Sequence, residues 1–97
     1  MYEPNQIVIP DAFMALYCVN GRPVATRESV EARYDLCEDM ALQMTEFCSA
    51  IEFKEDLSHD EVLRRCHAGL LAAESAVTPE EAGWIVSRTA ELLNWNR

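Results

Sequence analysis

The sequence predicts an all-α fold: a small antiparallel helical bundle of one short N-terminal helix and three longer helices. Three observations carry this reading. Apolar residues stay in register at seven positions, spaced alternately by four and three, between 30 and 51, Ser/Thr-x-x-Glu capping boxes stand at 58 and 78, and the segments between the helices are short. Ninety-seven residues make one domain, 1–97, able to close one hydrophobic core and too small for a deep interdomain cleft.

Residues 1–10 read as an extended N-terminal arm, with Gln6-Ile7-Val8-Ile9 its apolar part. Pro10-Asp11 then opens, and Asn20-Gly21 with Pro23 closes, a short helix over about 11–20. The alternative is a hairpin, because Asn-Gly is the commonest two-residue hairpin turn and Val24-Ala25-Thr26 could return as a strand. The second helix spans about 26–53, where Val30, Tyr34, Cys37, Ala41, Met44, Cys48 and Ile51 form one stripe. Leu36, Met40 and Phe47 widen it into the broad face of a bundle helix that touches two neighbours.

Ser58 as N-cap with Glu61 three residues on begins the third helix, about 59–75, whose apolar side is Val62, Cys66, Gly69, Leu70 and Ala73. Asp60 with Arg64 and Glu61 with Arg65 are acid-before-base pairs one turn apart. Gly69 among alanines predicts a close helix approach. Thr78-Pro79-Glu80-Glu81 repeats the box with proline at the first helical position and starts the fourth helix, about 79–94.

Composition narrows the function classes. Eight basic residues face 17 acidic ones, net charge -9, with Lys54 the one lysine; phosphate backbones and anionic membranes are bound by clustered Lys and Arg, so direct nucleic-acid or membrane binding is not expected. A basic protein partner fits better. The N-terminus lacks the features of a targeting signal and the apolar runs are shorter than a membrane span, which makes the cytoplasm the expected location. Cys18, Cys37, Cys48 and Cys66 are then reduced core thiols rather than disulfides.

Catalytic, cofactor and metal signals are weak. The phosphate-loop pattern G-x-x-x-x-G-K-[ST] is absent, with glycines only at 21, 69 and 83. Cys66 and His67 are neighbours pointing about 100° apart on a helix, and His59 is two turns away, so no metal ligand set converges. Cys37, Cys48 and Cys66 fall on apolar stripes, where burial raises a thiol's pKa and suppresses its reactivity.

Two surfaces are the candidate partner sites. On the polar side of the second helix, Glu31, Asp35, Glu38, Asp39 and Glu46 project within about 100° of one another, with no basic residue among them. This is a solvated face, or a docking ridge for a basic partner or for Arg64 and Arg65. On the fourth helix, Trp84, Arg88 and Trp95 project at about 200–240° when Ala82 is set at zero, away from an aliphatic cluster near 340°. Two tryptophans around an arginine have the composition of an interface anchor, facing the N-terminal arm or a second copy of the chain as a homodimer.

The strings Ile9-Pro10-Asp11-Ala12-Phe13-Met14-Ala15-Leu16-Tyr17 and Ala32-Arg33-Tyr34-Asp35-Leu36-Cys37-Glu38-Asp39-Met40-Ala41, with the Gly21-Arg22 turn between them, resemble a family of short, uncharacterised proteobacterial helical proteins, some labelled as ATPases with chaperone activity. The resemblance covers about the first half of the chain. It implies a chaperone-like role and, through the ATPase label, nucleotide binding. It assigns no site residue. The residues themselves point to a non-enzymatic interaction or regulatory module. A small hydrolase or ATPase-associated enzyme, and an acidic nucleic-acid mimic that occupies a basic protein cleft, are the alternatives.

Overall fold

The computed structural model describes residues 8–72 and 77–95. The chain is mostly helical and carries, besides its helices, a two-stranded sheet. It divides into two compact units between Asp35 and Leu36, inside its longest helix.

In the first unit the Pro10 carbonyl accepts hydrogen bonds from the Phe13 and Met14 amides at 3.0 Å and opens α1 (Asp11–Met14), which tightens into a 3₁₀ turn over Ala15–Tyr17. The helix expected over 11–20 stops there. Strand β1 (Cys18–Val19) pairs antiparallel with β2 (Arg22–Pro23), Cys18 opposite Pro23 and Val19 opposite Arg22. Asn20 at φ 55° and Gly21 at φ 79° are both left-handed. A helix end uses one such residue, whereas a type I′ hairpin turn needs two in succession, and Asn-Gly supplies both. The hairpin alternative is therefore the observed one, with Arg22–Pro23 rather than 24–26 as its return strand.

Phe13, fully buried, is flanked by the rings of Tyr17 (5.4 Å, tilted) and Tyr34 (5.3 Å, edge-on); such pairs add about 0.5–1.5 kcal/mol beyond their buried area. Val30 and Ile9 are buried and Val8 is exposed. The rest of the expected arm, 1–7, lies outside the described residues.

Helix α2 (Arg27–Glu55) begins behind Thr26, whose hydroxyl accepts from the Ser29 amide at 3.1 Å, and ends at Asp56, left-handed at φ 55°. Helix α3 (His59–Ala72) is capped by the Ser58 hydroxyl, which accepts from the Glu61 amide at 3.1 Å; the end expected at 75 lies outside the described residues. The Glu61 carboxylate is taken by Arg64 and Arg65. At α4 (Pro79–Leu93) both halves of the box form: the Thr78 hydroxyl accepts from the Glu81 amide and the Glu81 carboxylate from the Thr78 amide. That carboxylate is buried, so it is a structural cap rather than a surface charge.

In the second unit α2, α3 and α4 share a core of Cys48, Val62, Leu63, Cys66 and Trp95, against which Met44, Ile51, Val86 and Leu93 pack. The buried Thr89 hydroxyl turns back to the Ile85 carbonyl at 2.7 Å and reaches the Ala41 carbonyl of α2 at 3.5 Å. Among the described residues every buried side-chain nitrogen and oxygen has a hydrogen-bond partner, as a close-packed interior requires. No described helix is long and apolar enough to cross a membrane.

Candidate functional site

The acidic face of α2 does not act as one surface. In the first unit Glu31 is half-buried and bound by Arg27 at 3.0 Å, while Asp35 is exposed. In the second, Glu38 accepts from Arg88 Nε of α4 at 3.1 Å, and Arg88 Nη1 also donates to Glu91 at 3.0 Å. These two carboxylates hold the Arg88 pKa above the ordinary arginine value. Members of the two predicted sites thus meet each other, and Glu38 and Arg88 are spent on an internal pair. Arg64 and Arg65 do not reach the ridge: both bind Glu61, and Arg65 also binds Glu55 at 3.1 Å. Only Asp39 and Glu46 remain in this unit as exposed acids of the predicted set, with no ion pair to another described residue.

The expected Trp84–Arg88–Trp95 face is also corrected. Trp84 is half-buried, but Trp95 is buried in the core. The 100° projection assumes a helix that continues, and this one ends at Leu93. Asn94 takes φ 62°, and the Trp95 amide returns to the Ala90 carbonyl at 2.8 Å. In this Schellman geometry the residue after the left-handed one turns back onto the last helical turn, and an apolar side chain there packs inward. The Trp95 ring stacks on the His59 imidazole, centroids 4.0 Å apart and planes at 2°, and His59 Nε2 shares a hydrogen bond of 2.7 Å with Glu52 Oε2. Asn before the final Trp is the sequence signal that a continuous helical projection passes over.

Sequence reasoning missed an apolar concavity of the second unit. An apolar groove of about 360 Å³ runs between α2 and α3, walled by Met40, Met44 and Phe47 on one side and by Cys66, Gly69 and Leu70 on the other, with Arg65 at its margin. Gly69 does not serve close helix packing, because a Cβ placed there would meet nothing within 4 Å. Its missing side chain leaves the groove open. Phe47 is 50% exposed, and the two methionines, with three rotatable bonds each, give walls that reshape to an occupant. Met40, Met44 and Phe47 at steps of four and three, facing a glycine on the next helix, are the trace of the groove in the sequence.

At the inner wall Cys66 Sγ lies 2.7 Å from Cys48 Sγ, two core thiols brought together from α3 and α2. Cys66 lines the groove; Cys48 is fully buried behind it. Either sulfur can donate the hydrogen bond they share; that bond and burial together push the Cys48 pKa up, while at Cys66 the bond pulls the pKa down against burial. All four cysteines are free thiols. Among the described residues no three His, Cys, Asp or Glu side chains converge as a metal set.

No protein-family model matches the chain, and comparison with curated proteins and with solved structures finds no similar protein.

Proposed function

We propose that the unit beginning at Leu36 is a protein-interaction module whose α2–α3 groove seats a basic, amphipathic helical segment of a partner protein. The observation that carries this reading is the groove itself: apolar, lined by two methionines and a half-exposed phenylalanine, and built from two helices. Helix-in-groove recognition uses a concavity of this kind, with apolar side chains one turn apart as anchors. Asp39 and Glu46 on the solvent side of α2 supply the charge complement, and the net charge of -9 draws a basic segment in. The nucleic-acid mimic loses ground to this reading, since Glu38 is neutralised by Arg88.

The test is a titration with a synthetic helix bearing leucines on one face and lysines on the other, followed by amide chemical shifts and calorimetry. Perturbations are expected along 40–47 and 65–70, with affinity falling as salt rises. Gly69→Leu, which fills the groove, should weaken binding by about tenfold or more, roughly 1.4 kcal/mol. Equal binding of an acidic counterpart peptide, or unchanged affinity in Gly69→Leu, would overturn the reading.

A further inference from the structure

We propose that Cys66 and Cys48 form a redox-active dithiol that reduces an organic hydroperoxide entering the α2–α3 groove, with Cys66 as the attacking sulfur and Cys48 as the resolving one. This goes beyond the docking reading and does not rest on it.

Three observations converge on that division of labour. The two sulfurs are 2.7 Å apart, inside the separation of about 3–3.5 Å at which reacting groups are already placed for attack, so a disulfide of about 2.05 Å requires only a small approach. Of the two, Cys66 lines the groove, which gives a small molecule a route to that sulfur from outside. The contact between the two sulfurs pulls the Cys66 pKa down against burial and, with burial, pushes the Cys48 pKa up, which agrees in sense with Cys66 being the sulfur that lines the groove. The thiolate is the nucleophile in thiol oxidation.

The oxidant class follows from the walls. Met40, Met44, Phe47 and Leu70 offer apolar contact to an alkyl or aryl tail and little to hydrogen peroxide, which is better solvated in water. In the first step the Cys66 sulfur attacks the terminal peroxide oxygen; the O–O bond breaks, the alkoxide leaves with the proton from Cys66 as an alcohol, and Cys66 becomes a sulfenic acid. In the second the Cys48 sulfur attacks Cys66, the S–O bond breaks, and hydroxide leaves with the Cys48 proton as water. Two thiols and one hydroperoxide give one disulfide, one alcohol and one water, the peroxide gaining the two electrons that the sulfurs lose.

The test uses the full chain, reduced and freed of reductant, exposed in parallel to cumene hydroperoxide and to hydrogen peroxide at equal concentration. With cumene hydroperoxide, titratable thiols in denaturant should fall from four to two, one equivalent of alcohol should appear per chain, and peptide mapping should show Cys48 joined to Cys66, reversed by dithiothreitol. Cys48→Ser should halt at a Cys66 sulfenic acid captured by dimedone, whereas Cys66→Ser should yield neither a cross-link nor a dimedone adduct at Cys48. Four surviving thiols, a cross-link through Cys18 or Cys37, or an adduct at Cys48 in Cys66→Ser would overturn the dithiol assignment. Oxidation by hydrogen peroxide as fast as by cumene hydroperoxide would overturn the groove as the route. The mapping on unsubstituted protein decides the pairing even where a serine variant fails to fold.

Discussion

At the scale of single residues, Gly69 and Cys66 define the groove from opposite directions, one by what it lacks and the other by what it presents. A glycine inside a helix costs about 0.5–1 kcal/mol relative to alanine, and it persists without penalty to packing only where nothing presses on it. Open space surrounds the missing Cβ of Gly69. Gly69→Ala is therefore expected to stabilise the protein by about 0.5–1 kcal/mol in urea melts, and a destabilised variant would show that the site is tighter than the geometry states. An occupant of the groove also covers Cys66, so the basic peptide that tests docking should slow alkylation of that thiol selectively. The places of Cys48 and Cys66 on apolar stripes were legible from periodicity alone. Their meeting was not, because it depends on how α3 is rotated against α2, which no spacing within either helix encodes.

At the scale of elements, capping chemistry was the most readable part of the chain. Thr78-Pro79 and Ser58 mark the starts of α4 and α3 in the sequence and in the structure alike. The two boxes nevertheless differ, because Arg64 and Arg65 stand one turn beyond Glu61 and draw its carboxylate away, whereas the Glu81 carboxylate turns back to the Thr78 amide and closes its box. Thr78→Ala removes an acceptor for the Glu81 amide and should cost about 1 kcal/mol, more than Ser58→Ala at its exposed cap; the reverse order in thermal melts would contradict the contrast. The arginines hold the Glu61 carboxyl below the usual carboxylate range. Its pKa is thus depressed on folding, so the stability this contributes is present above the ordinary carboxylate pKa and is lost as pH falls through the lowered one. Acid should loosen α3 in that window, and Glu61→Gln should remove this part of the pH dependence. Where reading failed, at 11–20 and at Trp95, the cause was a left-handed residue that ends helical projection: Asn20 with Gly21 in one case and Asn94 in the other.

At the scale of the whole molecule, 17 acidic residues against 8 basic ones leave a net repulsion that salt screens. Two consequences of opposite sign follow from one cause. Raising sodium chloride from low to physiological strength should increase the melting temperature while weakening capture of a basic peptide, and a melting temperature that falls with salt would mean that the internal pairs, such as Glu38–Arg88 and Arg65–Glu55, outweigh the general repulsion. The charge excess was fully legible in composition. Which carboxylates remain exposed was not, since Glu31 and Glu38 are half-buried in ion pairs and Asp39 and Glu46 are not.

The two-residue turn at Asn20-Gly21 also gives the chain a chemical clock. A glycine after asparagine leaves its amide nitrogen unhindered, and attack of that nitrogen on the Asn20 side chain expels ammonia and forms a cyclic imide, which opens to aspartate or isoaspartate. Aspartate adds one negative charge to a chain already at -9. Isoaspartate inserts an extra backbone carbon into a turn that Cys18–Val19 and Arg22–Pro23 close with no residue to spare, and a hairpin so short cannot absorb it. Aged protein stored at mildly alkaline pH should therefore show an acidic band on isoelectric focusing and a weakened hairpin, and Asn20→Asp made by mutation should reproduce the charge but keep the turn.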